Sequence, residues 1–274
     1  MPPTVLITGC SPGGIGSALV EEFHLKGAHV YATARSKDKL RHLEHLPNVS
    51  LLELDVVSQA SIESAVEAVR TQSGGKLDVL INNAGQSLVM PALDTSLEDA
   101  KQLFDVNVFG AFAVTKGFMD LLVEAQGVVV NVCSISGVLN APWMAVYNAS
   151  KSALMTWSET LRLEVAPFNV RVISLVTGAI DTKLMSHAKI NLPPDSVYVP
   201  AIDEIRNRGI GADVTNKSDP GDFARDVVHD VLAGAQGPVW RGAMSGMVRF
   251  MYRFGPAWLV DFAMRRGTGI DRLG

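Results

Sequence analysis

The sequence predicts an α/β protein built on one doubly wound parallel sheet. Two observations lead there. Short apolar, β-branched runs alternate with longer segments of helical period along most of the chain, the signature of βαβ units. The first run, Thr4–Thr8, leads straight into the glycine-rich Gly9-Cys10-Ser11-Pro12-Gly13-Gly14-Ile15-Gly16 and then into the helical pattern Ser17–Gly27. At 274 residues, 47% hydrophobic and 19% charged, the chain suits a single domain whose parallel sheet is covered on both faces.

Each element follows in order. Thr4–Thr8 reads as a strand buried on both faces, and His29–Thr33 as the second. Leu51–Leu54 reads as the third, followed by a helix near Ser58–Gln72. Leu77–Ile81 reads as the fourth, followed by one long helix over about Leu97–Ala125. The valine run within Gly127–Cys133 reads as a central strand, Ala145–Phe168 as a helix, and Val170–Val176 as the next strand. Thr182–Ser218 breaks the alternation with Pro193, Pro194, Pro200, Gly209 and Gly211, and a long irregular stretch of this kind suits a substrate lid. The division expected is a catalytic domain over residues 1–242, with a lid over 183–218, and a hydrophobic helical extension over 243–274 packing on the same domain.

Strand, glycine turn and helix together form the setting of a dinucleotide site. The glycines permit a tight turn and close approach of backbone to pyrophosphate, and the helix N-terminus offers free N–H groups to the phosphates. The expected contacts are Gly9, Ser11, Gly14, Ile15 and Gly16. The second strand runs into Arg35 and Ser36 with no carboxylate before Asp38. A guanidinium and a hydroxyl suit a 2′-phosphate, so NADPH/NADP+ is the expected cofactor rather than NAD. No metal enters this scheme.

The chemistry resides in Ser134, Tyr147 and Lys151, spaced S-x12-Y-x3-K. Tyr147 and Lys151 share a helix face one turn apart. An ammonium beside a phenol is expected to lower its pKa from about 10. A phenol so tuned serves proton transfer near neutral pH.

These pieces resemble the short-chain dehydrogenase/reductase family in its single-domain branch, and the resemblance runs to about Gly242. Thr-Gly-Cys-Ser-Pro-Gly-Gly-Ile-Gly at residues 8–16 and Phe-Asp-Val-Asn-Val-Phe-Gly at 104–110 look most like fungal 1-acyldihydroxyacetone-phosphate reductases, and are also similar to 17β-hydroxysteroid dehydrogenases. The resemblance implies a Rossmann-type fold. It matches Asn82-Asn83-Ala84-Gly85 to the motif beside the adenosine ribose, Asp55 to the acid at the adenine, and Asn107 and Ser134 to catalytic positions. It assigns Tyr147 as the acid, Lys151 to the nicotinamide ribose, and Gly178, Ile180 and Thr182 to the nicotinamide carboxamide. Two departures stand out: Thr177 replaces a proline, and the glycine turn is one residue longer than the family pattern.

The expected activity is reduction of a bulky hydrophobic ketone, with Leu88, Ile135, Leu139, Trp143, Met185 and His187 as pocket candidates. The alternatives are oxidation of a secondary alcohol by the same residues, or a non-catalytic nucleotide-binding protein. The net charge of −4, without a basic run, argues against nucleic acid. Met1-Pro2-Pro3 leads directly into the first strand, so no signal peptide and a cytoplasmic location are expected, extending to the surface of endoplasmic reticulum or lipid droplets. Cys10 and Cys133 are expected on strands two apart, roughly 10 Å, beyond the reach of a disulfide. Homo-oligomers, dimers or tetramers, are implied by the resemblance. Between Met244 and Met264 the apolar residues Met247, Phe250, Met251, Phe254 and Trp258 follow a helical spacing that Pro256 should interrupt. Packing on the core or a subunit, a lid, and a peripheral membrane helix all fit that pattern.

Overall fold

The structure, a computed structural model, describes residues 2–182 and 190–273. Seven strands, β1 (Thr4–Ile7), β2 (His29–Ala34), β3 (Val49–Glu53), β4 (Val79–Asn82), β5 (Val128–Val132), β6 (Arg171–Thr177) and β7 (Gly237–Arg241), form one sheet. All neighbours are parallel, in the order β3-β2-β1-β4-β5-β6-β7. The order reverses between β1 and β4, which opens a crevice at the C-terminal strand ends there. Six strands stand where the sequence places them, within a residue or two. β7 was not foreseen. It is short, and Pro238 disguises it, but β7 lies at the sheet edge, where a missing N–H costs no ladder bond.

Nine helices lie among the described residues: α1 (Ile15–Leu25), α2 (Gln59–Ser73), α3 (Leu97–Phe104), α4 (Ala111–Ala125), α5 (Ala145–Glu164), α6 (Ile202–Gly209), α7 (Pro220–Leu232), α8 (Ser245–Phe254) and α9 (Ala257–Arg265). The period of two along β1 divides the core. Val5 and Ile7 join Leu19, Phe23, Phe223 and Val227 of α1 and α7 on one face, while Leu6 joins Val114, Phe118 and Leu121 of α4 on the other.

Three expectations need correction. The single helix over Leu97–Ala125 carries a π turn at Asp105–Gly110 between α3 and α4, and this turn buries Asn107. Gly110 is needed there, since a Cβ would meet Val56 Cγ2 at 2.7 Å. The helix starting at Ala145 ends at Glu164, and Ala166–Phe168 is a 3₁₀ turn, because Pro167 lacks the N–H that would extend the helix. The stretch after residue 189 is not irregular throughout: a 3₁₀ turn at Val199–Ala201, with Pro200 in its first turn, feeds α6. The remainder of the lid, with Met185 and His187, lies outside the described residues.

The extension breaks at Pro256 as its sequence predicts, and Pro256 is the N-cap of α9. Its packing differs along its length. Val248 of α8 is buried against Ile135 and Val176, whereas α9 has no buried residue. The chain then returns, burying Thr268 and packing Ile270 and Leu273 against Trp143 and Tyr147.

Candidate active site at the C-terminal ends of β1, β4 and β5

The glycine turn is latched to the strand beside it. Thr8 Oγ1 accepts the N–H groups of Asn83 at 3.0 Å and Ala84 at 2.9 Å. Asn83 Nδ2 donates back to the carbonyls of Thr8 at 2.8 Å and Gly9 at 3.0 Å. Gly9 adopts φ 75°, and a Cβ there would meet Ala84 Cα at 2.9 Å. A Cβ on Gly16 would lie 2.6 Å from Asn83 Nδ2 and from the Gly9 carbonyl. The extra residue is absorbed by a turn in which the Gly14 N–H donates to the Ser11 carbonyl at 3.2 Å and Gly13 takes φ 71°. Gly14 caps α1 without any side-chain bond to its first turn. Uncapped N–H groups at the start of an eleven-residue helix, approached over glycines, fit a dinucleotide pyrophosphate.

Arg35 is exposed just beyond β2. The Ser36 hydroxyl already has a partner, accepting the Asp38 N–H at 3.3 Å as cap of the 3₁₀ helix Lys37–Leu43. Asp38, the nearest acid, pairs with Arg41 at 2.7 Å. Asp55 holds its own turn, accepting the Val57 N–H at 3.2 Å, while its N–H donates to Ser61 Oγ at 2.9 Å.

Ser134, Tyr147 and Lys151 come together behind this crevice. Ser134 Oγ accepts the Ser136 N–H at 3.1 Å, which fixes the oxygen and leaves its proton to donate. That hydroxyl neighbours the Tyr147 phenol and favours its ionised form. Lys151 Nζ donates to the Val132 carbonyl at 2.9 Å and stands 5.9 Å from the Tyr147 ring centroid. Both side chains are buried. Burial moves their pKa values in opposite directions: Tyr147 upward, partly offset by Ser134, and Lys151 downward. The expectation that Lys151 lowers the Tyr147 pKa is therefore not met: burial raises it, and the partial offset comes from Ser134. Cys133, beside Ser134, is also buried, and its thiol is pushed up to about 12. Both cysteines are free, as their strand positions predict.

Asn107 faces the same crevice, with its side chain fully engaged. Its Oδ1 accepts the Gln86 N–H at 2.8 Å, and Nδ2 donates to the Gln86 carbonyl at 3.0 Å and Ser150 Oγ at 3.1 Å. A Cβ on Gly85 would lie 3.3 Å from Asn107 Oδ1 and 3.6 Å from Lys151 Nζ, so the Asn82–Gly85 motif and the helices carrying these two residues meet there. On the opposite side, Thr177 ends β6 paired with Arg241. The turn after it is held by Gly178 N–H to the Arg241 carbonyl at 2.8 Å and by a bridge from Ile180 to Ser218, with Thr182 one residue beyond the Asp181 N–H bond to Ser218.

A cleft of about 670 Å³ opens alongside, lined by Leu139, Trp143, Asn148, Tyr198, Ile270 and Leu273 among others. It borders α5 on the side away from Tyr147 and includes two of the predicted pocket residues, Leu139 and Trp143. Ile135 is instead buried against α8, and Leu88 packs on the cluster around Trp143. Sequence reasoning missed Tyr198 and the C-terminal residues. It also missed a buried polar chain in which Asn82 Nδ2 donates to Asn131 Oδ1 at 2.8 Å and Asn131 Nδ2 donates to Ser158 Oγ at 2.8 Å. The signal was available: Asn131 is the one polar residue in Val128-Val129-Val130-Asn131-Val132.

Fold and site together define a nucleotide-dependent oxidoreductase. The model of the short chain dehydrogenase family matches residues 3–192, and the chain belongs to that family. It is 40% identical over 268 residues to the short-chain dehydrogenase ptmH of Penicillium ochrochloron, covering 98% of each chain. It is 41% identical over 201 residues to the NADPH-dependent 1-acyldihydroxyacetone phosphate reductase of Schizosaccharomyces pombe, covering 72% of this chain and 68% of that one. A short chain dehydrogenase of Burkholderia cenocepacia, solved in complex with NADP, superposes with a TM-score of 0.76 at 26% identity, covering 96% of this chain and 98% of that one. The family binds nicotinamide cofactors.

Proposed function

We propose that the chain is an NADPH-dependent carbonyl reductase that converts a bulky hydrophobic ketone to a secondary alcohol. The observation that carries this reading is the buried Tyr147 phenol, set beside Ser134 and flanked by Lys151. Burial favours the neutral phenol, which suits an acid that gives a proton over a base that takes one.

When bound, the reduced nicotinamide supplies the hydride that reaches the carbonyl carbon. Gly9, Ser11, Gly14, Ile15 and Gly16 would hold the pyrophosphate. Asp55, Asn83, Ala84 and Gly85 would border the adenosine, and Gly178, Ile180 and Thr182 the carboxamide. Arg35 would take the 2′-phosphate, since it is exposed, forms no ion pair among the described residues, and its nearest acid is committed to Arg41. Ser36 contributes less than expected, being occupied as a cap. The names of the Schizosaccharomyces and Burkholderia proteins support the same cofactor.

Ser134 donates its free proton to the carbonyl oxygen and orients it, a preorganised donor for developing negative charge. Tyr147 gives its phenolic proton to that oxygen. Lys151, anchored on the Val132 carbonyl beside the phenol, would reach the ribose hydroxyls. The Asn107 side chain is spent on Gln86 and Ser150, so a water feeding protons to Lys151 would rest on its main-chain carbonyl, which the π turn takes off the regular helical ladder.

The apolar residues clustered with Tyr147, among them Leu88, Val89, Trp143 and Ile190, support a hydrophobic substrate. Members of this family often form oligomers. A homo-oligomer is supported here by the exposed ring of Phe112 on α4, which meets the half-buried Trp157 of α5 edge-on at 5.9 Å. Tyr147→Phe tests the central claim: ketone turnover should fall at least about a thousandfold with NADPH binding retained. Retention of most of the activity would sink the mechanism.

A further inference from the structure

The C-terminal helices present a surface that the catalytic reading leaves without a role. On α8, Met247, Phe250 and Phe254 share one face at i, i+3 and i+7, and they are 62%, 62% and 70% exposed. On α9, Trp258 and Phe262 stand four apart, 70% and 63% exposed. Phe250 and Phe254 stack on each other, with ring centroids 5.4 Å apart, while remaining open to solvent. Exposed aromatic residues clustered in this way mark an interaction surface.

Charge identifies the occupant. Residues 244–267 contain Arg249, Arg253, Arg265 and Arg266 against Asp261 alone, a local excess of three positive charges on a chain of net charge −4. None of these arginines pairs with a carboxylate among the described residues. Arg249 and Arg253, four apart, flank the apolar face of α8. Aromatic residues bordered by arginines are the composition of a helix lying in a membrane interface, rings toward the acyl chains and guanidinium groups toward anionic headgroups. A symmetric contact with a second copy would set this cationic surface against itself, which is unfavourable.

We propose that α8 and α9 dock on an anionic lipid bilayer. The inner side of α8 places the bilayer one layer from the active site. Val248 packs on Ile135, next to Ser134, and on the cluster containing Leu139, which lines the cleft. Docking would set the cleft close to the lipid phase, where hydrophobic ketones partition. The docking claim itself does not depend on the catalytic roles.

The test is flotation of the full chain with vesicles of phosphatidylcholine alone or with added phosphatidylserine. The expected result is at least about tenfold more protein on the anionic vesicles. That binding should fall in high salt, as the screening length shortens from about 10 Å at 0.1 M to about 3 Å at 1 M. The double variants Phe250→Ser/Phe254→Ser and Arg249→Glu/Arg253→Glu should each lose it by about tenfold or more, with an unchanged circular-dichroism melting curve. All four positions are exposed, and the second pair preserves the test if the first unfolds. No flotation with either vesicle, or equal flotation of wild type and folded variants, would overturn the proposal. So would a dimer by light scattering that the phenylalanine variant dissociates, which would give the surface to a second copy.

Discussion

The Trp143 indole N–H donates to the backbone carbonyl of Thr268 at 3.0 Å, joining residues 125 apart in the chain. Trp143 holds φ 68°, a conformation that strains a bulky residue. Its carbonyl accepts the Met90 N–H at 2.7 Å, and its ring meets Tyr198 edge-on at 5.5 Å. Three other segments of the chain therefore meet at this one residue, two through its side chain and one through its carbonyl. Trp143→Phe keeps much of the packing and orphans a buried carbonyl. It should cost about 1–3 kcal/mol in urea unfolding. The same variant should raise KM for ketones more than it lowers kcat, because the apolar cluster beside Tyr147 loosens while Ser134, Tyr147 and Lys151 stay.

The proposed role of Arg35 in cofactor choice can be tested by charge reversal. Arg35→Asp removes the group that would bind a 2′-phosphate and offers a carboxylate to the ribose hydroxyl instead. KM for NADPH should rise by about tenfold or more while KM for NADH falls. An unchanged ratio of kcat/KM for the two cofactors would remove Arg35 from the site.

Asn131 links the middle of the sheet to α5. Asn131→Ala leaves Asn82 and Ser158 short of a partner in the core, an effect of about 1–3 kcal/mol. Thermal unfolding should drop by roughly 2–4 °C for each kcal/mol in a chain of this size. Because α5 carries both Tyr147 and Lys151, activity should fall with it.

The raised pKa of Tyr147 gives a pH signature. Its contribution to stability is fully present below the ordinary phenol value of 10.0 and is lost as pH climbs through the higher folded value. Lys151, with its pKa lowered from 10.5, runs the other way: its contribution is present above 10.5 and is lost as pH falls through the lower folded value. Melting curves of wild type and Tyr147→Phe should therefore agree in shape below pH 10 and diverge above it, wild type losing stability faster. Parallel curves would mean that Tyr147 ionises as an ordinary phenol.

Local signals account for what the sequence disclosed. The glycine turn after Thr8, the valine run ending at Cys133 and the Tyr147–Lys151 spacing each carry their meaning within a few residues. The features that stayed hidden depend on partners distant in the chain. β7 exists only because β6 offers an edge to a strand containing Pro238. The π turn at Asn107 follows from Gly110 meeting Val56. The shift of Tyr147 could not be read from a neighbouring lysine, because the apolar cluster that encloses it draws on Val89 after β4, Leu103 of α3, Ile205 of α6 and the returning C-terminus. Trp143 gave no hint of Thr268, which lies in the segment least like the family pattern.

The buried thiols have a consequence for the molecules this site can tolerate. Cys133 adjoins Ser134, and both it and Cys10 are fully enclosed with thiols held near 12, so essentially no thiolate forms at neutral pH. An enone entering beside Tyr147 meets a proton donor but no soft nucleophile. Under the proposed function, conjugated ketones would therefore find neither Cys10 nor Cys133 ready to be alkylated.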